Sequence, residues 1–324
     1  MNNFKYLQPA SLKEASDMLS RESSTAVAFS GGSDLLGMMK NSIIAPGALV
    51  NLKNIPDLNK IHYTKGKGLK IGALVTIAEL TEHPVIAEKY TALKQAAKDV
   101  ASPQLRTIGT VGGNICQRPR CWYFREDFNC LRKGGGMCYA FDGQNKYHCV
   151  IGGGPCYIVH PSDLAVALTA LDASVTIFSK KNTRSVPIKD FFVLPETDYK
   201  HENILKPGEI VTEVTIPEMS ENTFSRYIKF RERGVWDFAV VSAAAVVRKT
   251  KNTIEAGKVA YGGIAPVPWQ ENSLNSKLKG FELNAESIES LTGLVLTKAE
   301  PLEMNQFKIL LARNLTKKIF SEFL

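Results

Sequence analysis

No stretch of this sequence approaches the roughly 18 consecutive apolar residues that a bilayer-spanning helix requires, which argues against a membrane protein. The N-terminal run MNNFKYLQPASLKEA has neither the basic start nor the apolar core of a secretory signal, so the cytoplasm is the expected compartment. Dense blocks of Lys and Arg are missing too. The net charge of +8 is spread along the chain, which disfavours nucleic-acid binding and suits a solvated surface or a face for an acidic partner. Internal repeats and low-complexity tracts are absent. Without a secretion signal, a disulfide framework is not expected in a chain of 324 residues.

What is present is an ordinary globular composition, 44% hydrophobic and 22% charged, long enough for two or three packed units. Ser11 and Glu14 predict a capping box opening a helix over 11–21, with Leu12, Ala15, Met18 and Leu19 on one face. Strands are expected at 26–29, 48–52 and 69–74. A second capping box, Thr76 to Glu79, opens another helix, and a further one covers 92–100. Residues 118–158 break the pattern, being rich in Cys, Gly, Arg and aromatics with little periodicity; so long an irregular segment implies a function. A helix is then expected at 164–171 and strands at 174–178 and 210–216. The last hundred residues read as a separate unit, with strands at 227–231, 239–247 and 258–264 and helices at 285–296 and 305–320. The order is mixed α+β, without the alternation of a doubly wound fold.

Two glycine-rich turns stand out, Ser30-Gly31-Gly32-Ser33-Asp34-Leu35 and Thr110-Val111-Gly112-Gly113-Asn114. Glycine permits positive φ and a close approach of backbone to ligand. Successive free N–H groups form an anion-binding concavity suited to a pyrophosphate. Neither turn is G-x-G-x-x-G or a Walker sequence, so the Rossmann and P-loop readings fail. Each alone reads equally well as a tight turn. Together with IGALVTIAEL at 71–80, RTIGTVGGNI at 106–115, PSDLAVAL at 161–168 and YIKFRERGVWDFAVVSAAAVV at 227–247, the run SGGSDLLGMMK at 30–40 resembles the FAD-binding subunits of the xanthine dehydrogenase, or molybdenum hydroxylase, family. The resemblance covers essentially the whole chain in the family's order.

That resemblance implies a p-cresol methylhydroxylase-type FAD-binding fold of two α/β subdomains over 1–222, followed by an α+β domain over 223–324. It implies that Ala28, Phe29, Ser30, Gly31, Gly32, Ser33, Asp34 and Leu35 wrap the FAD pyrophosphate. Gly109, Thr110, Gly112, Gly113 and Asn114 would line the flavin and its phosphates, Asp163 would hold a polar part of the cofactor, and Lys229 would sit near the isoalloxazine end. Read without it, Asp163 is a favourable helix N-terminal charge and Lys229 a solvent-facing strand residue.

All six cysteines lie between 116 and 156, which points to a metal or cluster site rather than scattered core thiols. The spacing Cys121-x8-Cys130-x7-Cys138-x10-Cys149-x6-Cys156 lacks the paired knuckles usual for structural zinc and suits thiolates closing around a larger inorganic core. Arg118, Arg120, Arg125, Arg132 and Lys133 surround Cys121 and Cys130, where they would offset the charge of such a core or form a solvated loop face. Two relatives within the family, the flavin subunit of periplasmic aldehyde oxidoreductase and the β subunit of 4-hydroxybenzoyl-CoA reductase, carry a 4Fe–4S cluster in a similar insertion at 118–158. The resemblance makes Cys121, Cys138 and Cys156 ligands. The aldehyde-type pattern adds Cys130 and the benzoyl-CoA type adds Cys149. The runs RCWYFREDFNC, HPSDLAVAL and VAYGGIAPVPW are closer to the aldehyde type and favour Cys130, with Cys149 the alternative. Cys116 reads as a packed thiol.

The function implied is electron transfer from 2Fe–2S clusters on a small subunit, through FAD here, to an external acceptor. Organic substrate would be oxidised on a large molybdopterin subunit, so this chain supplies no catalytic residue to that step. Relatives of the aldehyde type are exported with a signal on a partner subunit, which keeps the periplasm compatible with the missing signal. The rivals are a free-standing flavin oxidase of the same fold, a 4-hydroxybenzoyl-CoA reductase-like β subunit, and a non-enzymatic iron–sulfur sensor.

Overall fold

A computed structural model describes residues 1–21 and 25–324. Three sheets form where β-branched and aromatic residues cluster. The first is parallel, with β1 (Lys5–Leu7), β2 (Ala26–Phe29) and β3 (Ala48–Asn51) in the order β1-β3-β2. Parallel neighbours need crossover connections, and the helix Leu12–Arg21 lies between β1 and β2. The second is antiparallel, with β4 (Ile61–Thr64), β5 (Gly68–Gly72), β6 (Ser174–Phe178), β7 (Thr183–Pro187) and β8 (Ile210–Ile216) in the order β4-β5-β8-β6-β7. The helices Ile77–Glu82, Thr91–Asp99 and Asp163–Ala170 pack with this sheet in one core. Every residue of Asp163–Ala170 is buried, the apolar ones all round the helix and its two polar ones, Asp163 and Thr169, with hydrogen-bond partners.

The third sheet is antiparallel, with β9 (Thr223–Phe230), β10 (Val241–Thr250), β11 (Thr253–Gly262) and β12 (Trp269–Gln270) in the order β12-β11-β10-β9. Side chains alternate across a strand, and here both faces are used. Tyr227, Ala244 and Ala260 join the core of the preceding half, whereas Ala243, Ala245 and Val259 pack with the helices Ala285–Thr292 and Phe307–Ser321. The architecture is α+β, as expected. Among the described residues no helix is long and apolar enough to cross a membrane.

Local signals held with two corrections. At Thr76 the capping box forms: its Oγ1 accepts the Glu79 N–H at 3.2 Å and the Glu79 carboxylate accepts the Thr76 N–H at 2.7 Å. At Ser11 only half of the box forms, because the Glu14 carboxylate takes the Ala10 N–H at 2.8 Å instead of that of Ser11. The expected turn at 110–114 is a short helix, Val111–Ile115, capped by Thr110. Its two glycines disguised a helical segment, since glycine disfavours helix interiors.

Candidate functional site

The two glycine loops lie back to back. A Cβ on Gly31 would sit 1.9 Å from the carbonyl oxygen of Ile108, so only glycine lets the first loop reach the second. Gly32 takes a φ of +70°, which closes the turn after β2. The loops are also joined by Ser30 Oγ and Thr110 Oγ1, 3.1 Å apart. Between them and the start of the helix Asp163–Ala170 opens a cavity of about 1030 Å³.

Of the fifteen residues expected around a flavin, fourteen line this cavity: Ala28, Ser30 to Leu35, Gly109, Thr110, Gly112, Gly113, Asn114, Asp163 and Lys229. Phe29 does not. Its ring instead meets the ring of Tyr6 at 6.1 Å and the ammonium of Lys53 at 5.2 Å. The loops contribute differently. The backbone N–H groups of Gly31, Gly32, Ser33 and Asp34 have no acceptor among the described residues. In the second loop Val111 donates to Val75 O, Gly112 to Ala73 O and Gly113 to Thr110 Oγ1. The anion-binding concavity therefore belongs to the first loop, and the second supplies shape. Gly112 is needed because a Cβ there would lie 2.9 Å from that of Ala73.

At the far wall, Asp163 and Lys229 form a buried ion pair of 2.8 Å, and the Tyr227 hydroxyl donates to the same carboxylate at 2.6 Å. Lys229 also donates to Asp99 O at 2.9 Å, and its side chain is 1% exposed, so it is not a solvent-facing strand residue. Burial raises the Asp163 pKa, against the pull of Lys229 and Tyr227. Asn114 Oδ1 accepts the Ser162 hydroxyl at 2.5 Å, tying the second loop to the cap of that helix.

Residues 118–158 contain only the short helix Trp122–Arg125 and a 3-10 turn, Leu131–Lys133. In place of regular structure they have an aromatic nest. Tyr123 meets Phe128 edge-on at 4.9 Å and stacks on Tyr139 at 6.0 Å, and its hydroxyl accepts the Gln144 N–H at 2.6 Å. Cys121, Cys130 and Cys138 pack in this nest with Met38 and Phe124. Cys138 and Cys156 titrate as a coupled pair: the neighbouring Cys156 thiol, together with nearby backbone amides and against burial, lowers the Cys138 thiol to about 6, and Cys138 raises its partner. Burial pushes Cys121 up to about 11, with Phe124 and Tyr123 amides opposing. His148 Nε2 lies 3.2 Å from Cys121 Sγ. Cys149 sits outside the nest and burial pushes it up to about 12; Cys116, packed against the main core, is pushed as high by burial and then Glu202. Among the described residues no three His, Cys, Asp or Glu side chains converge as a single metal ion would require.

The basic residues are arranged otherwise than expected. Arg120 and Arg125 pair with Asp34 at 2.9 and 2.8 Å, and Arg118 and Arg132 pair with Glu202. Lys133 donates to the Glu126 carbonyl. Only Arg132 approaches a thiol, 4.0 Å from Cys156 Sγ, and it is buried, so neither a general counter-charge nor a solvated loop face describes the set. Glu202, Trp236 and Phe238 line the main cavity without any signal in the sequence, and Arg118 and Arg120, expected beside the cysteines, line it as well. A second cavity of about 330 Å³, walled by Cys121, His148 and His160, shares Arg120, Asp163 and Phe238 with the first.

The family model for the FAD binding domain in molybdopterin dehydrogenase matches residues 2–219. The chain belongs to that family. The CO dehydrogenase flavoprotein C-terminal domain matches residues 226–323 of the same flavoprotein. The aldehyde oxidoreductase FAD-binding subunit PaoB of Escherichia coli K12 is 35% identical, over 90% of this chain and 89% of the relative. The carbon monoxide dehydrogenase medium chain of Hydrogenophaga pseudoflava is 26% identical over 93% and 88%. The fold matches the solved carbon monoxide dehydrogenase from Hydrogenophaga pseudoflava that lacks the Mo-pyranopterin moiety, with a TM-score of 0.78, 24% identity and coverage of 98% and 96%. The flavoprotein is thus an FAD subunit of the oxidoreductase complexes of this family, as its sequence resemblance implied.

Proposed function

We propose that this flavoprotein is the electron-exit subunit of a molybdenum hydroxylase of the aldehyde oxidoreductase type, with FAD in the large cavity and a 4Fe–4S cluster in the insertion. Its partners would be a small 2Fe–2S subunit and a large molybdopterin subunit, and its acceptor an external one. The observation that carries the flavin assignment is the row of four unpaired N–H groups, Gly31 to Asp34, on the cavity wall, a donor set suited to a pyrophosphate. FAD, when bound, accepts electrons singly and releases them in pairs. The chain's own part is to cradle the phosphates at this loop and to hold a buried cation, Lys229, and a buried carboxylate, Asp163, at the far wall.

Support for the cluster is the chemistry of the nest. Cys121, Cys130 and Cys138 share one apolar site, and Cys138 is electrostatically coupled to Cys156, with its thiol lowered to about 6, a setting that favours thiolate ligands. Cys130 packs in that site beside Cys121 and Cys138, which supports it as the fourth ligand, with Cys149 the alternative.

Anaerobically purified protein is expected to contain about four iron per chain and negligible zinc, as the cluster stoichiometry requires. Cys121→Ser, Cys130→Ser, Cys138→Ser and Cys156→Ser should each lose most of it, while Cys116→Ser and Cys149→Ser keep it. Loss in Cys149→Ser with retention in Cys130→Ser would move the fourth ligand to the benzoyl-CoA reductase pattern. One zinc per chain without iron would end the cluster reading and leave the flavin assignment standing.

A further inference from the structure

We infer that the Asp34 carboxylate serves the cysteine insertion rather than the cofactor, and that through Asp34 FAD binding and the ordering of residues 118–158 are coupled. The inference rests on the flavin reading of the cavity and is independent of what the cysteines hold. Asp34 faces two ways. Its backbone N–H is one of the four unpaired donors of the first loop. Its carboxylate turns away to the insertion, accepting the Arg118 N–H at 2.8 Å on Oδ2 and the guanidinium groups of Arg125 and Arg120 at 2.8 and 2.9 Å on Oδ1.

These charge-assisted bonds occupy the carboxylate and neutralise an anion that would otherwise repel a pyrophosphate at the same loop. Arg125 also donates through Nε to Pro119 O at 2.7 Å, fixing the chain just before Cys121. All the side chains of this knot are mostly buried: Asp34 is 17%, Arg125 15% and Arg120 28% exposed. Breaking one partner would leave desolvated charge behind, so the loop and the insertion move together. Coupling between two sites is reciprocal, so whatever orders one favours the other.

Arg125 separates this inference from its rival, because it bonds Asp34 yet does not line the cavity. FAD would be titrated into the deflavinated full-length chain, with flavin fluorescence reporting affinity. Arg125→Gln and Asp34→Asn are each expected to weaken FAD by about tenfold, and the double variant by no more than the stronger single, as for residues acting as one unit. Arg125→Lys, which keeps the charge, should recover part of the loss and carries the comparison if Arg125→Gln fails to fold. FAD should slow amide hydrogen exchange across 126–145, none of which lines the cavity, in the unaltered chain but not in Arg125→Gln. Unchanged affinity in Arg125→Gln beside weakened binding in Asp34→Asn would make Asp34 a direct cofactor contact and overturn the inference. Additive losses would do the same. Failure of the unaltered chain to bind FAD would remove the flavin reading itself and the coupling with it.

Discussion

The flavin-cradling half and the cysteine insertion are built on opposite principles. The first buries a continuous apolar core, running from Leu69 and Ile71 through Leu80, Leu93 and Leu164 to Val214, and its loops are fixed by the elements that carry them. The second has a small aromatic nest and is held to the rest by two knots of charge, one at Asp34 and one at Glu202. Apolar burial is non-directional and tolerant of small shifts, whereas a buried ion pair stabilises only with both partners in place. The two halves should therefore fail in different ways when cut.

The largest loss of flavin is expected where the core half allows no space. Gly31→Ala drives a Cβ into the Ile108 carbonyl, so the two loops must separate. Flavin content should fall to near zero, with about 1–3 kcal/mol of stability lost by overpacking. Gly37→Ala, whose Cβ would meet nothing within 4 Å, should keep its flavin and gain up to about 1 kcal/mol, because glycine is costly inside a helix. Flavin retained in Gly31→Ala would show that the contact between the loops is dispensable.

Next comes the charge knot. Glu202→Gln leaves Arg118 and the buried Arg132 without their carboxylate, at an expected cost of about 3–5 kcal/mol. The loss should concentrate in faster amide exchange across 118–158. Glu289→Gln breaks an exposed pair with Lys317 and should cost no more than about 1 kcal/mol. Equal losses in the two variants by urea unfolding would show that burial does not set the cost of breaking the pair at Glu202.

The same contrast explains what could be read in the sequence. Periodicity and capping placed Ala26–Phe29, the helix after Thr76 and the buried helix Asp163–Ala170, because those signals are local. The glycine loops were legible for the same reason. Asp34 and Glu202 were opaque in another way. Their arginine partners are 84 or more residues away for Arg118 and Arg125, and charge in a sequence carries no address. Arginines beside cysteines suggested counter-charge for a cluster, but three-dimensional proximity assigned most of them to carboxylates.

A last effect, seen only as a pH dependence, concerns His160, which lies just after the insertion at the joint of the two regions. Its N–H donates to Ala265 O at 3.1 Å, its Nδ1 accepts the Ser162 N–H at 3.3 Å, and its ring meets Phe192 edge-on at 4.6 Å. Burial, and then the nearby Arg120 cation, depress its pKa to about 3 against the backbone of Ile115, which favours the charged form. The unfolded chain takes up a proton near the ordinary value of about 6.5, and the folded chain does not until far lower pH. Between those limits the unfolded state binds more protons, so stability rises with pH. The contribution is complete above about pH 6.5 and shrinks as the pH falls, by about 2 kcal/mol at pH 5. His160→Gln removes the titrating group, so its unfolding free energy should fall by about 2 kcal/mol less than that of the unaltered chain between pH 7.5 and pH 5. An unchanged pH slope in urea unfolding would mean that His160 already carries its proton in the fold, and that the joint is wetter than its burial indicates.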